Sequence, residues 1–156
     1  MIPGMHICRT IAQTLKHDEL FQKVARDNFG VEWKLLIGFD GKKTDWEKQA
    51  PCVVISPWKC EPENDQRNYS ISLSIAIVDD SVVDQDGVRE LRGLQILDEQ
   101  AWQAAWPALQ DAMPGIEPLA MLGEPSVALS QEHFPLLLCL AGLVVEVNLP
   151  IGERRL

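Results

Sequence analysis

Residues 69–78 limit the fold more than any other part of the chain. Tyr69, Ile71, Leu73, Ile75 and Ile77 alternate with Ser70, Ser72, Ser74 and Ala76. A period of two predicts a β-strand with one apolar face and one small, polar face. A single strand cannot satisfy its own backbone amides and carbonyls, and its apolar face has to be covered. The rest of the chain must therefore supply partner strands and at least one amphipathic layer.

The amphipathic layer is legible at the start. Ile7, Ile11 and Leu15 recur every four residues, and Met5, Cys8 and Ala12 widen the stripe, while Arg9, Gln13 and Lys16 face elsewhere. This spacing predicts a helix of about three turns. Asp18 is placed to cap a second helix carrying Leu20, Phe21, Val24 and Ala25, with Asn28 and Gly30 as its stop. A third helix is predicted over residues 98–113, capped by Asp98. Trp102, Ala105, Trp106, Leu109 and Met113 share one of its faces, and Pro107 should kink or restart it. Trp102, Trp106 and Leu109 are expected to pack on Ile71, Leu73, Ile75 and the strand near the C-terminus.

Further strands are predicted at 31–39, where Val31, Trp33, Leu35, Ile37 and Phe39 alternate, and at Cys52-Val53-Val54-Ile55, bounded by Pro51 and Pro57. Residues 116–122 and 136–149 complete the set. The last is nearly all apolar, which predicts a central strand covered on both faces for part of its length, with a bulge or bend at Gly142. Residues 40–49, 59–68 and 79–87 read as polar connections, and 151–156 as a short flexible tail. Strands adjacent in sequence favour antiparallel pairing. The expected fold is a single α+β domain over residues 1–156, with a mostly antiparallel sheet of four to five strands and two to three helices on one face.

At 156 residues the chain is long enough to bury a core without metal or disulfide staples. Its 23 acidic and 14 basic residues give a net charge of −9. That balance disfavours a nucleic-acid binder, which needs a positive face to displace counterions, so no sequence-specific nucleic-acid binding is expected. The four cysteines, Cys8, Cys52, Cys60 and Cys139, form no CxxC pair and are widely spaced. Reduced thiols in a reducing compartment are expected. No apolar stretch follows a basic start, and the longest apolar run, 134–145, is interrupted by Pro135 and Gly142. It is short of the roughly 20 residues a membrane span needs. A cytoplasmic chain with no membrane partner follows.

Motifs that carry chemistry are sparse. His6, His17 and His133 have no helical i+3 or i+4 partner, so no metal is expected. Asp79, Asp80, Asp84 and Asp86-Gly87 suggest a cation loop, but the register fails: with Gly87 at the sixth position, Val82 and Gly93 fall on the first and last ligand positions. No phosphate-binding glycine loop or nucleophile elbow occurs, so no cofactor is expected. Trp102 and Trp106 belong to a helix face. Trp46 and Trp58 fall in or beside polar loops, where aromatic side chains anchor interfaces.

The order of elements resembles that of the small tail-terminator, or tail-completion, proteins of long-tailed bacteriophages and prophages. The resemblance rests on the N-terminal helix ending near Asn28, "APCVVISP" at residues 50–57 and "YSISLSIAIVDD" at 69–80. It continues through "ELRGLQIL" at 90–97, the helix at 98–113 and two closing strands. It covers roughly residues 5–150. Pro107 and the 31–39 strand depart from the pattern. The resemblance implies a structural protein without catalysis. Copies form a ring, a homohexamer, that caps the tail tube and gives the head a docking surface. Its partners are then itself, the tail tube protein and a head-completion or connector protein. It would be found in the bacterial host cytoplasm during assembly and afterwards in the virion tail. On this reading Trp46, Trp58, Lys42, Lys43, Glu61 and Glu63 are the expected interface residues.

Two other classes fit the same residues. One is a small cytoplasmic enzyme whose site is assembled from distant positions, such as His133 with Asp79 or Glu146. The other is an acidic adaptor or immunity-type binding module.

Overall fold

A computed structural model describes residues 4–38, 45–63, 66–113, 116–118, 126–129 and 134–148. Two helices open the chain, α1 at Gly4–His17 and α2 at Glu19–Phe29. Ile7, Cys8, Ile11, Ala12 and Leu15 are the buried face of α1. Asp18 caps α2 as expected, its carboxylate accepting the Phe21 N–H at 2.9 Å. Gly30 ends the helix in the left-handed region at φ 74°, its N–H donating to the Arg26 carbonyl.

The main sheet has six strands: β1 Lys34–Ile37, β2 Cys52–Glu63, β3 Gln66–Val78, β6 Ile116–Pro118, β7 Ser126–Leu129 and β8 Leu136–Asn148. The order is β1-β2-β3-β8-β6, with β7 also paired to β8. β3 is central, antiparallel to β2 over Gln66–Ala76 and to β8 over its whole length. Its period-two pattern is repeated across the neighbouring strands. Val53, Ile55, Ile71, Leu73, Ile75, Ile77, Leu137, Cys139 and Leu143 turn to one face and meet α1, α2 and the helical stretch over residues 92–112. The α+β class and the one-sided helical layer are therefore as read from the sequence, in a wider sheet.

A smaller cluster, Cys52, Val54, Ala76 and Leu136 with Leu36 and Leu138, lies on the opposite face. β8 is thus buried on both faces near Leu136. Gly142 makes no bulge against β3, because the register runs unbroken from Gln66↔Asn148 to Val78↔Leu136.

Four local readings change. First, the strand predicted at 31–39 is shortened to β1, and β1 pairs with β2 in parallel. Residues 38–51 provide the dozen or more that a parallel crossover needs, and they include a helical turn, α3 at Trp46–Gln49, which meets β3. Second, residues 59–63 and 66–68 are strand rather than loop: β2 and β3 continue pairing to Glu63↔Gln66. Once hydrogen bonding between two strands is in register, polar residues on both faces do not end it.

Third, the acidic connection 79–87 is a hairpin. β4, Val82–Gln85, and β5, Val88–Leu91, form their own two-stranded sheet. Asp86 and Gly87 turn at φ 53° and 80°. Positive φ at both central residues is the requirement of the tight turn that matches strand twist, and Asp-Gly meets it. Fourth, the third helix begins at Arg92, not Asp98. It runs as α4 Arg92–Gln95, a π-helical segment Ile96–Ala101 and α5 Trp102–Ala112. Within the π-helical segment the Trp102 N–H reaches the Leu97 carbonyl. Pro107 lies inside α5 and does not end it.

Candidate functional site

The backbone places four of the six expected interface residues. Trp46 starts α3, beside the entry to β2. Trp58 lies at the bulge in β2: Pro57 pairs with Ile71 and Lys59 with Ser70, so Trp58 is the extra residue between them. A bulge re-aims the side chain that carries it, and a proline without an N–H is a natural place for one. Glu61 and Glu63 lie in the outer part of β2, opposite Asn68 and Gln66. Lys42 and Lys43 lie outside the described residues, as do the side chains of Trp46, Trp58, Glu61 and Glu63. Of the residues considered for an enzyme, His133 and the Glu146 side chain are also outside them.

Asp79 is described, and it is structurally committed. Its Oδ1 accepts the Ser81 N–H at 2.7 Å, and its Oδ2 lies 3.5 Å from the Arg92 guanidinium. Arg92 also donates to Asn28 Oδ1 at 2.8 Å. The Asn28 amide in turn donates to the Val24 carbonyl and to Gln100 Oε1. The Arg92 N–H closes the loop by donating to the Ser81 carbonyl at 2.9 Å. This chain of contacts joins the end of β3, the root of the β4–β5 hairpin, α2 and the π-helical segment. Among the described residues no group of His, Cys, Asp or Glu is spaced to hold a metal ion.

Neither strand of the hairpin has a buried residue. Val82 and Val88 are each 57% exposed. A shallow groove of about 470 Å³ runs along it, lined by Val82, Asp84, Arg89, Glu90 and Leu91. A smaller one follows the outer side of the next helix at Leu94, Gln95, Asp98 and Glu99. The Asp86-Gly87 pair was the available sequence signal for this hairpin. It was hidden by the surrounding acids, which read as a solvated connection.

The two helix tryptophans are only half-buried. Trp102 and Trp106 stack on each other at 5.6 Å, at the margin of the core. Trp33 is buried, 3% exposed, stacked on Phe21 at 5.2 Å and edge-on to Phe29. Cys8, Cys52 and Cys139 are free and buried. Burial pushes each thiol up to about 11, which leaves them protonated and unreactive near neutral pH. No described helix is long and apolar enough to cross a membrane. No family model matches this chain, and no curated protein matches it at a significant level.

Proposed function

We propose that this chain is a structural component of a phage or prophage tail, assembling as a ring that caps the tail tube and joins it to the head. The reading starts from the order of elements shared with the tail terminators. The observation that carries it is the placement of two unlike surfaces on one small domain. One is the outer edge of β1, which pairs on its inner side only with β2 among the described residues. The other is the projecting β4–β5 hairpin with its exposed valines. Head-to-tail contact between two unlike surfaces generates a ring when the rotation closes. In this role the protein works by shape and attachment, with no catalysis. Its partners are further copies of itself, the tail tube protein and a head-completion or connector protein.

Sedimentation over a wide concentration range, with electron microscopy of the largest species, tests the reading. A closed ring, a hexamer, is expected, and it should bind the end of assembled tail tubes. A chain that stays monomeric at every concentration, with and without tail tubes, overturns it.

A further inference from the structure

The ring reading leaves open which parts of two neighbouring copies touch, and the hairpin and the β1 edge have complementary properties. β4 and β5 form a sheet of only two strands. A ribbon of this kind is marginal in water unless something packs or pairs with it. Its root is tied by the Ser81 N–H to Asp79 Oδ1 and by the Arg92 N–H to the Ser81 carbonyl, with the Arg92 guanidinium 3.5 Å from Asp79 Oδ2. Its surface combines exposed Val82 and Val88 with acidic groups: Asp80, Asp84, Asp86 and Glu90 outnumber Arg89.

The β1 edge has the opposite character. The Lys34 N–H donates to the Pro51 carbonyl at 3.1 Å and the Gly38 N–H to the Ile55 carbonyl at 2.9 Å. These residues therefore face β2. By the alternation of a ladder, Leu35 and Ile37 turn their N–H and C=O groups outward. The edge begins at exposed Lys34. β1, β4 and β5 are each four residues long. Within one copy, β2 separates β1 from β3, at whose end the hairpin is rooted.

We propose that the β4–β5 hairpin of one copy adds to the β1 edge of the next, extending its sheet. The occupant of each surface is a second copy of this chain, an inference that rests on the ring reading. Backbone hydrogen bonds supply the pairing, as in other cases of strand addition. The valines supply apolar contact, and the acidic hairpin against Lys34 fixes which surfaces meet.

Three full-length variants test this by sedimentation. Val82→Lys with Val88→Lys disables the hairpin at exposed positions. Ile37→Pro removes an outward N–H from the edge without removing a bond to β2, and Lys34→Glu is the milder edge variant should Ile37→Pro fail to fold. Each variant alone should self-associate about tenfold or more weakly than the wild type. An equimolar mixture of a hairpin variant and an edge variant should form a 1:1 dimer, because one intact hairpin then meets one intact edge. If the wild type assembles and folded variants assemble equally well, this contact is wrong and the ring stands. If the variants are monomeric and their mixture stays monomeric, the pairing of these two surfaces is wrong. A wild-type chain that is always monomeric removes both.

Discussion

The side-chain carbonyl of Gln22 accepts the main-chain N–H of Trp33 at 2.8 Å. The same buried amide donates to the Leu15 carbonyl at 3.2 Å, and the Trp33 indole N–H reaches the Phe21 carbonyl at 2.9 Å. One polar side chain therefore ties α1, α2 and the approach to β1 together inside an apolar layer. Gln22→Leu leaves a buried donor and a buried acceptor without partners. An unsatisfied buried group costs about 1–3 kcal/mol, so a loss of roughly 2–4 kcal/mol is expected in urea unfolding. An unchanged midpoint would show that water replaces the amide.

Leu109 is fully buried while Trp106 is half-buried. Leu109→Ala should cost about 2–5 kcal/mol, the range for a large-to-small change in a closed core. Trp106→Ala should cost less than Leu109→Ala despite removing more atoms, since Trp106 is only half-buried at the margin of the core. Melting temperatures of the two variants give the order directly.

Gly93 marks where α4 approaches the sheet. A Cβ built there would lie 2.3 Å from Leu137 Cδ1 and 3.1 Å from Ile77 Cδ1. Both side chains are fully buried and have little room to withdraw. Overpacking costs about 1–3 kcal/mol, while replacing glycine within a helix returns about 1 kcal/mol. Gly93→Ala should therefore be mildly destabilising, and Gly93→Val clearly so, by thermal unfolding.

The buried thiols give stability a defined alkaline limit. Cys8, Cys52 and Cys139 ionise near 9.0 when unfolded and near 11 when folded, because burial disfavours the thiolate. The folded state then holds more protons between these values, so stability falls as pH rises from about 9 towards about 11. Below pH 9 this contribution is fully present. Urea midpoints measured across that window should decline, and the decline should shrink in the Cys8→Ala, Cys52→Ala, Cys139→Ala variant. A thiol reagent at pH 8 should label these three slowly in the native protein, and four cysteines should react once it is unfolded.

Asp79 holds the root of the hairpin, so Asp79→Ala should loosen residues 82–91 more than the main sheet. Hydrogen exchange is the direct readout: amides of β4 and β5 should exchange faster, with β3 protection little changed. Equal acceleration in both would mean that the contact stabilises the whole domain.

What could be read in advance depended on how local the cause was. The alternation at Tyr69–Ile77 and the i, i+4 stripe of α1 are short-range patterns, and both appear as read. The caps Asp18 and Gly30 act on their own helix and were equally legible. Asp98 misled because it is a good capping residue that lies inside the helix. The true start follows Leu91, which supplies no side-chain cap, and the Arg92 amide is satisfied instead by Ser81, distant in sequence. The parallel β1–β2 pairing and the outer part of the β2–β3 pairing are set by strand neighbours, which no periodicity encodes. Trp33 fell on a strand pattern, yet it is held by Gln22 and Phe21 from α2, a contact between elements. The interface residues rested on resemblance and on loop tryptophans, and Trp58 proved to sit within a paired strand.

β8 has two short partners in tandem on the side away from β3: β7 along Leu137–Leu140 and β6 along Leu143–Val145. On the far side of the sheet, β1 is a single four-residue strand along Cys52–Ile55 of β2. The two flanks of the sheet are therefore unlike, so a strand added to one would meet a different register and length of partner from a strand added to the other.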